Sequence, residues 1–83
     1  MKAHVYVTLK RTVLDAQGQT VAGALRRMEI SGISDVRQGK YFLLTLEDAL
    51  TSDPIQAQLT VERIAREVLI NPVIEEFTLR IEP

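Results

Sequence analysis

A chain of 83 residues with 46% hydrophobic and 25% charged residues has the composition of one small folded domain, spanning 1–83, and not of a disordered segment. Ten Lys and Arg against eleven Asp and Glu leave a formal charge of −1, which offers no electrostatic footprint for a phosphate backbone, so no nucleic acid partner is expected. The absence of cysteine and the single His4 exclude disulfides and thiolate zinc sites, and no apolar run approaches the ~18 residues of a membrane span, so no membrane partner is expected either.

Residues 3 to 9 alternate Ala3, Val5, Val7 and Leu9 with His4, Tyr6 and Thr8, the period of a half-buried strand. Asp15 is placed to cap a first helix running to about Ile30, with Val21, Ala24, Leu25 and Met28 as its buried stripe. Gly23 lies on the opposite side, either a tolerated surface glycine or a low spot for close backbone approach. Ser31 and Gly32 are expected to end the helix, after which Ile33 re-enters the core.

The stretch 36–47, VRQGKYFLLTLE, is predicted to be the central strand, because Tyr41 to Leu46 are apolar on both alternating sets and a strand with that pattern needs cover on both faces. Extending its inner face backwards would bury Gln38 and Lys40, so Gly39 is expected to mark a bulge, bend or tight turn. Residues 47 to 52 form a polar turn, and Asp53 followed by Pro54 opens a second helix. Its predicted stripe is Ala57, Val61, Ile64, Ala65 and Val68, widened by Ile55, Leu59 and Leu69, and Asn71-Pro72 stops it. Phe77, Leu79 and Ile81 then alternate with Thr78, Arg80 and Glu82 in a last strand.

Strand, helix, strand, helix, strand predicts an α+β fold with a ferredoxin-like arrangement. Two helices would lie on one face of a mainly antiparallel sheet whose central strand is bent or split near Gly39. Beneath the helices would lie Val5, Val7, Leu9, Phe42, Leu44, Leu46, Phe77, Leu79 and Ile81. The other face carries Tyr6, Thr8, Tyr41, Leu43 and Thr45, too apolar for comfort in water and too polar for a second core, which suits a self-association face.

No catalytic constellation emerges. His4 has no Asp or Ser positioned by sequence to complete a relay, and Glu47-Asp48 and Glu75-Glu76, being adjacent in extended chain, point to opposite faces. Gly18, Gly23, Gly32 and Gly39 are too scattered for a phosphate-cradling loop. Arg37, Gly39 and Lys40 form the one compact polar group, which reads either as a receiver for a carboxylate or phosphate, or as a charged bulge at the end of a strand. Catalytic, cofactor-binding and metal-binding residues are therefore all expected to be none.

Three stretches, VYVTLKRTVLDAQGQTVAGAL, DVRQGKYFLLTLE and NPVIEEFTLRIE, resemble the PurS family, the small subunit of phosphoribosylformylglycinamidine (FGAM) synthase. The likeness covers nearly the whole chain and is carried by Val13-Leu14-Asp15 with Gln17-Gly18, Val36-Arg37 with Gly39-Lys40, and Asn71-Pro72-Val73-Ile74-Glu75. Ala16 departs from it, standing where the family typically has proline at the first helical position. The resemblance implies a cytoplasmic, non-catalytic subunit of a purine-biosynthetic complex. Such a subunit bridges a glutaminase, PurQ, and an ATP-dependent synthetase, PurL, and assists ammonia transfer. It implies no cofactor on this subunit, with ATP and Mg used by the synthetase, and self-association as a homodimer or tetramer. The alternative is a dimeric small-molecule-binding regulatory module on the same fold, an argument from fold alone.

Overall fold

The computed structural model describes residues 1–83, in the order β1 (Lys2–Leu9), α1 (Ala16–Arg27), β2 (Gly39–Thr45), α2 (Asp48–Thr51), α3 (Pro54–Ile64), a π-helical turn (Ala65–Leu69) and β3 (Glu75–Glu82). Both β2 and β3 pair antiparallel with β1, giving the sheet order β2-β1-β3. This is an α+β, ferredoxin-like arrangement. The central strand, however, is β1 and not the stretch around Tyr41 to Leu46. That stretch is an edge strand, and its two-sided apolar pattern reflects surfaces that other elements of this chain leave uncovered.

No bulge occurs at Gly39. The strand begins there, with Gly39 opposite Thr8 and Lys40 opposite Val7 in unbroken register. Lys40 escapes burial because it lies at the end of the sheet, where its ammonium, 64% exposed, stands 3.6 Å from Glu75. Glycine is required at 39 for another reason: a Cβ would stand 2.3 Å from the Val7 carbonyl oxygen.

The core is small. Ala3, Val5 and Val7 of β1 meet Val61 of α3 and Ala65, all essentially inaccessible to water, with Ala57 also buried. Phe42, Leu44, Leu46, Phe77, Leu79 and Ile81 are only half-buried against this centre, and Leu9, though half-buried at the strand end, lies outside the cluster. Asp53 caps α3 by accepting from the Ile55 and Gln56 N–H groups, and Pro54 occupies the first turn, as the sequence predicts.

The stripe of α3 departs from its predicted course at the π-helical turn, where the Ile70 N–H donates to the Ala65 carbonyl. The wider turn brings Leu69 and Ile70 onto the core and leaves Val68 74% exposed. Ile55 and Leu59 are also exposed. Residues 47 to 52, expected as a polar turn, contain the one-turn helix α2.

The larger correction concerns α1. It ends at Arg27, earlier than predicted, with Glu29 in the left-handed region at φ 60° before Gly32 at φ 93°. Its apolar stripe does not join the core: Val21 is 42% and Met28 68% exposed, and Ile33 stays outside at 54%. Only α3 and the π turn cover the sheet, while α1 projects away from it. The molecule consequently measures 51 × 26 × 14 Å.

Candidate functional site

The residues singled out by sequence fall into two groups, and backbone geometry organises the first. Asp15 precedes α1 with its carboxylate buried. One oxygen accepts the Gly18 N–H at 2.8 Å, capping the helix, and the other accepts the Gln38 N–H at 2.6 Å. Those bonds, that from Gly18 foremost and then that from Gln38, hold the Asp15 carboxyl below its ordinary range, with the nearby Arg37 charge adding to the effect. Gly18 is required because a Cβ there would lie 2.3 Å from the Val36 carbonyl oxygen.

Arg37 lies beside this junction. Its Nη2 donates to the carbonyls of Leu9, Lys10 and Val13 at 3.4, 3.1 and 3.3 Å, fastening the loop that joins β1 to α1. Asp15, Gly18, Val36, Arg37 and Gln38 thus form one clamp that sets where α1 leaves the sheet. Of the three residues Arg37, Gly39 and Lys40, the first two serve this chain's own backbone, Arg37 through one end of an exposed guanidinium, and Lys40 presents an ammonium that is 64% exposed. On the far side of β1, Glu75 accepts the Asn71 N–H at 2.8 Å and orders the turn before β3. A cleft of about 240 Å³ lies here, lined by Asp15, Gln38, Lys40 and Glu75 among others.

The second group lies on the open side of the sheet. The pairing puts Tyr41, Tyr6 and Thr78 in one row, Leu43, His4 and Arg80 in the next, and Thr45, Lys2 and Glu82 in the third. Thr8 lies opposite Gly39 and Glu76. The predicted face of Tyr6, Thr8, Tyr41, Leu43 and Thr45 is therefore contiguous, and all five side chains are exposed. The Tyr6 and Tyr41 rings lie 5.3 Å apart in a tilted pair.

Sequence reasoning missed what His4 does on that face. Its Nε2 lies 2.7 Å from the Glu82 carboxylate and its Nδ1 2.6 Å from the Tyr41 hydroxyl. A carboxylate only accepts, so Nε2 carries a proton; in the neutral ring Nδ1 accepts from the tyrosine. The hydrogen bond from His4, reinforced by its charge when protonated, lowers the pKa of Glu82, with smaller help from Arg80 and Lys2. These partners come from three strands, so only the pairing register reveals them. None of the clefts is lined by His4, Tyr41 or Glu82, which lie on the open sheet face. No group of three or more His, Cys, Asp or Glu residues is arranged to hold a metal ion, and no helix is long and apolar enough to cross a membrane.

Comparison with known proteins bears on the same residues. The family model PurS, phosphoribosylformylglycinamidine (FGAM) synthase, matches residues 2–83. The phosphoribosylformylglycinamidine synthase subunit PurS of Mycobacterium leprae (strain TN) is 44% identical over 78 residues, covering 94% of this chain and 91% of that relative. A Bacillus subtilis PurS structure in a C2 crystal form superposes with a TM-score of 0.81 at 38% identity, covering 99% of this chain and 98% of that one. A chain of the PurLQS structure from Thermotoga maritima superposes at 0.77 with 27% identity, covering 95% and 93%. With a full-length family match, close relatives of equal length and the same fold, the chain belongs to the PurS family.

Proposed function

We propose that this chain is the PurS subunit of FGAM synthase in purine biosynthesis, a non-catalytic component that joins a PurQ glutaminase to a PurL synthetase and assists ammonia transfer between them. In this reading the assembled enzyme uses ATP, Mg and glutamine to convert phosphoribosylformylglycinamide to FGAM, and works in the cytoplasm. The observation carrying it is the match over residues 2–83 to the family. The likeness to a chain of the Thermotoga maritima PurLQS structure supports a place in a three-component complex.

Within that reading, Arg37, Gly39 and Lys40 stand at a junction with a partner subunit. Arg37 and Gly39 act through the backbone they hold, and Lys40 acts through its own ammonium. Tyr6, Thr8, Tyr41, Leu43 and Thr45 form a face on which copies of the chain associate as a dimer or tetramer. The test is reconstitution with PurQ and PurL, measuring complex mass and glutamine-dependent product formation. A ternary complex whose glutamine-dependent activity needs this chain supports the reading. If the chain neither joins the complex nor alters that activity, the reading fails.

A further inference from the structure

Four charged side chains meet at one end of the sheet without pairing. Arg11 lies in the turn after β1, Asp35 and Arg37 stand two apart on the segment entering β2, and Glu76 belongs to β3, opposite Thr8. Together with Thr8 and Leu9 they line a cleft of about 360 Å³, within the ~300 to 1,000 Å³ of small-molecule sites. The ion pairs of this chain, His4 with Glu82, Lys40 with Glu75 and Arg63 with Glu67, involve none of the four. Of the cleft's side chains only Arg37 hydrogen-bonds within the chain, to the Leu9, Lys10 and Val13 carbonyls.

Those bonds prepare Arg37 for a ligand. The carbonyls hold Nη2, so the Nε–H and both Nη1 hydrogens remain uncommitted on a guanidinium whose plane is already set. Ordering a long side chain is a usual cost of capturing a carboxylate, and here folding has supplied it. Charge then selects the ligand. Two guanidiniums against two carboxylates leave the cleft without net charge, so a phosphate gains from Arg11 and Arg37 and is opposed by Asp35 and Glu76. A small molecule carrying both signs a few ångströms apart engages all four. Leu9 is the one apolar residue of the lining and the Thr8 hydroxyl is free, which suits a polar side chain on that molecule better than an aliphatic one.

We infer that this cleft binds a free α-amino acid with an uncharged polar side chain. Its carboxylate lies on Arg11 and Arg37, its ammonium on Asp35 and Glu76, and its side chain beside Thr8. A peptide terminus carries only one of the two charges and fills half the site. Because the same guanidinium fastens the loop between β1 and α1, an occupied cleft also steadies that loop and stabilises the folded chain. The site is complete within one chain, so it stands apart from association with PurQ and PurL.

The test is titration of the full chain with L-glutamine, followed by amide chemical shifts and calorimetry. Saturable binding in the ~1 mM range is expected, as befits a few solvent-facing charged contacts. The shifts should gather at Thr8, Leu9, Arg11, Asp35, Arg37 and Glu76, with a rise in the thermal midpoint. Arg11→Gln and Glu76→Gln should each weaken binding about tenfold, the scale of one lost charged hydrogen bond, with circular dichroism unchanged. Arg63→Gln, outside the cleft, should leave binding as it is. N-acetylglutamine, which lacks the ammonium, and leucine, which lacks the polar side chain, should bind more weakly. Absence of saturation by glutamine, equal binding of inorganic phosphate, N-acetylglutamine or leucine, or unchanged affinity in Arg11→Gln and Glu76→Gln overturns the inference, whatever the outcome of reconstitution with PurQ and PurL.

Discussion

The Asp15 carboxylate lies 2.6 Å from the Gln38 N–H, tying the start of α1 to the entry of β2 across a loop and a helix. Because the folded carboxyl is held below its ordinary range, the unfolded chain binds the proton more readily and acid favours unfolding. The contribution of this contact is complete above the ordinary carboxylate range and is lost as the pH falls through the folded pKa. Asp15→Asn is expected to lower stability at pH 7 and to converge with the unmodified chain in acid, as read from urea titrations at a series of pH values. Equal denaturation midpoints at pH 7 would remove the clamp from the account.

Gly18→Ala tests the same junction from the backbone. The added methyl meets the Val36 carbonyl, which is main chain and cannot swing aside. The expected loss is ~1 to 3 kcal/mol in urea unfolding, the usual scale of forced overpacking.

Gly23→Ala is the opposite case. A Cβ there meets only the end of the Arg27 side chain, at 3.6 Å, and the site lies within a helix. Replacing glycine by alanine is expected to stabilise by ~0.5 to 1 kcal/mol and to raise the thermal midpoint. A lower midpoint would mean that something approaches this side of α1.

Truncation along α3 and the turn after it should separate two valines that look alike in sequence. Val61→Ala removes two methyl groups from the centre of the core and is expected to cost ~2 to 3 kcal/mol. Val68→Ala is expected to stay within ~0.5 kcal/mol, since the π-helical turn leaves Val68 in water. Similar losses at both would argue for a regular helix through Ala65.

What the sequence makes legible is mostly local. The alternation of β1 and β3, the Asp15 cap and the Asp53-Pro54 start are readable because each depends on neighbours within a turn or a strand. Strand order is not local. Tyr41 to Leu46 read as a central strand because apolar pattern reports that both faces want cover without saying what supplies it. The stripe of Val21, Leu25 and Met28 misleads in the same way, having the period of a core-facing helix while lying outside this chain's core. His4 looked isolated because Tyr41 and Glu82 lie on other strands. The hold of Arg37 on the loop between β1 and α1 is not legible either, because main-chain carbonyls, its acceptors, leave no mark in a sequence.

The central position of β1 also dictates the order in which the fold is completed. As the chain is synthesised, Lys2–Leu9 emerge first and find their partner on one edge only when Gly39–Thr45 follow. Their other edge stays open until Glu75–Glu82 are made. Until then Ala3, Val5 and Val7 have no finished core, and a nascent strand with an open edge is a template for its neighbours. The pairing of Lys2 with Glu82 joins residues at opposite ends of the sheet's sequence span, and a pairing of such high sequence separation is of the kind that slows folding and prolongs exposure of an open edge.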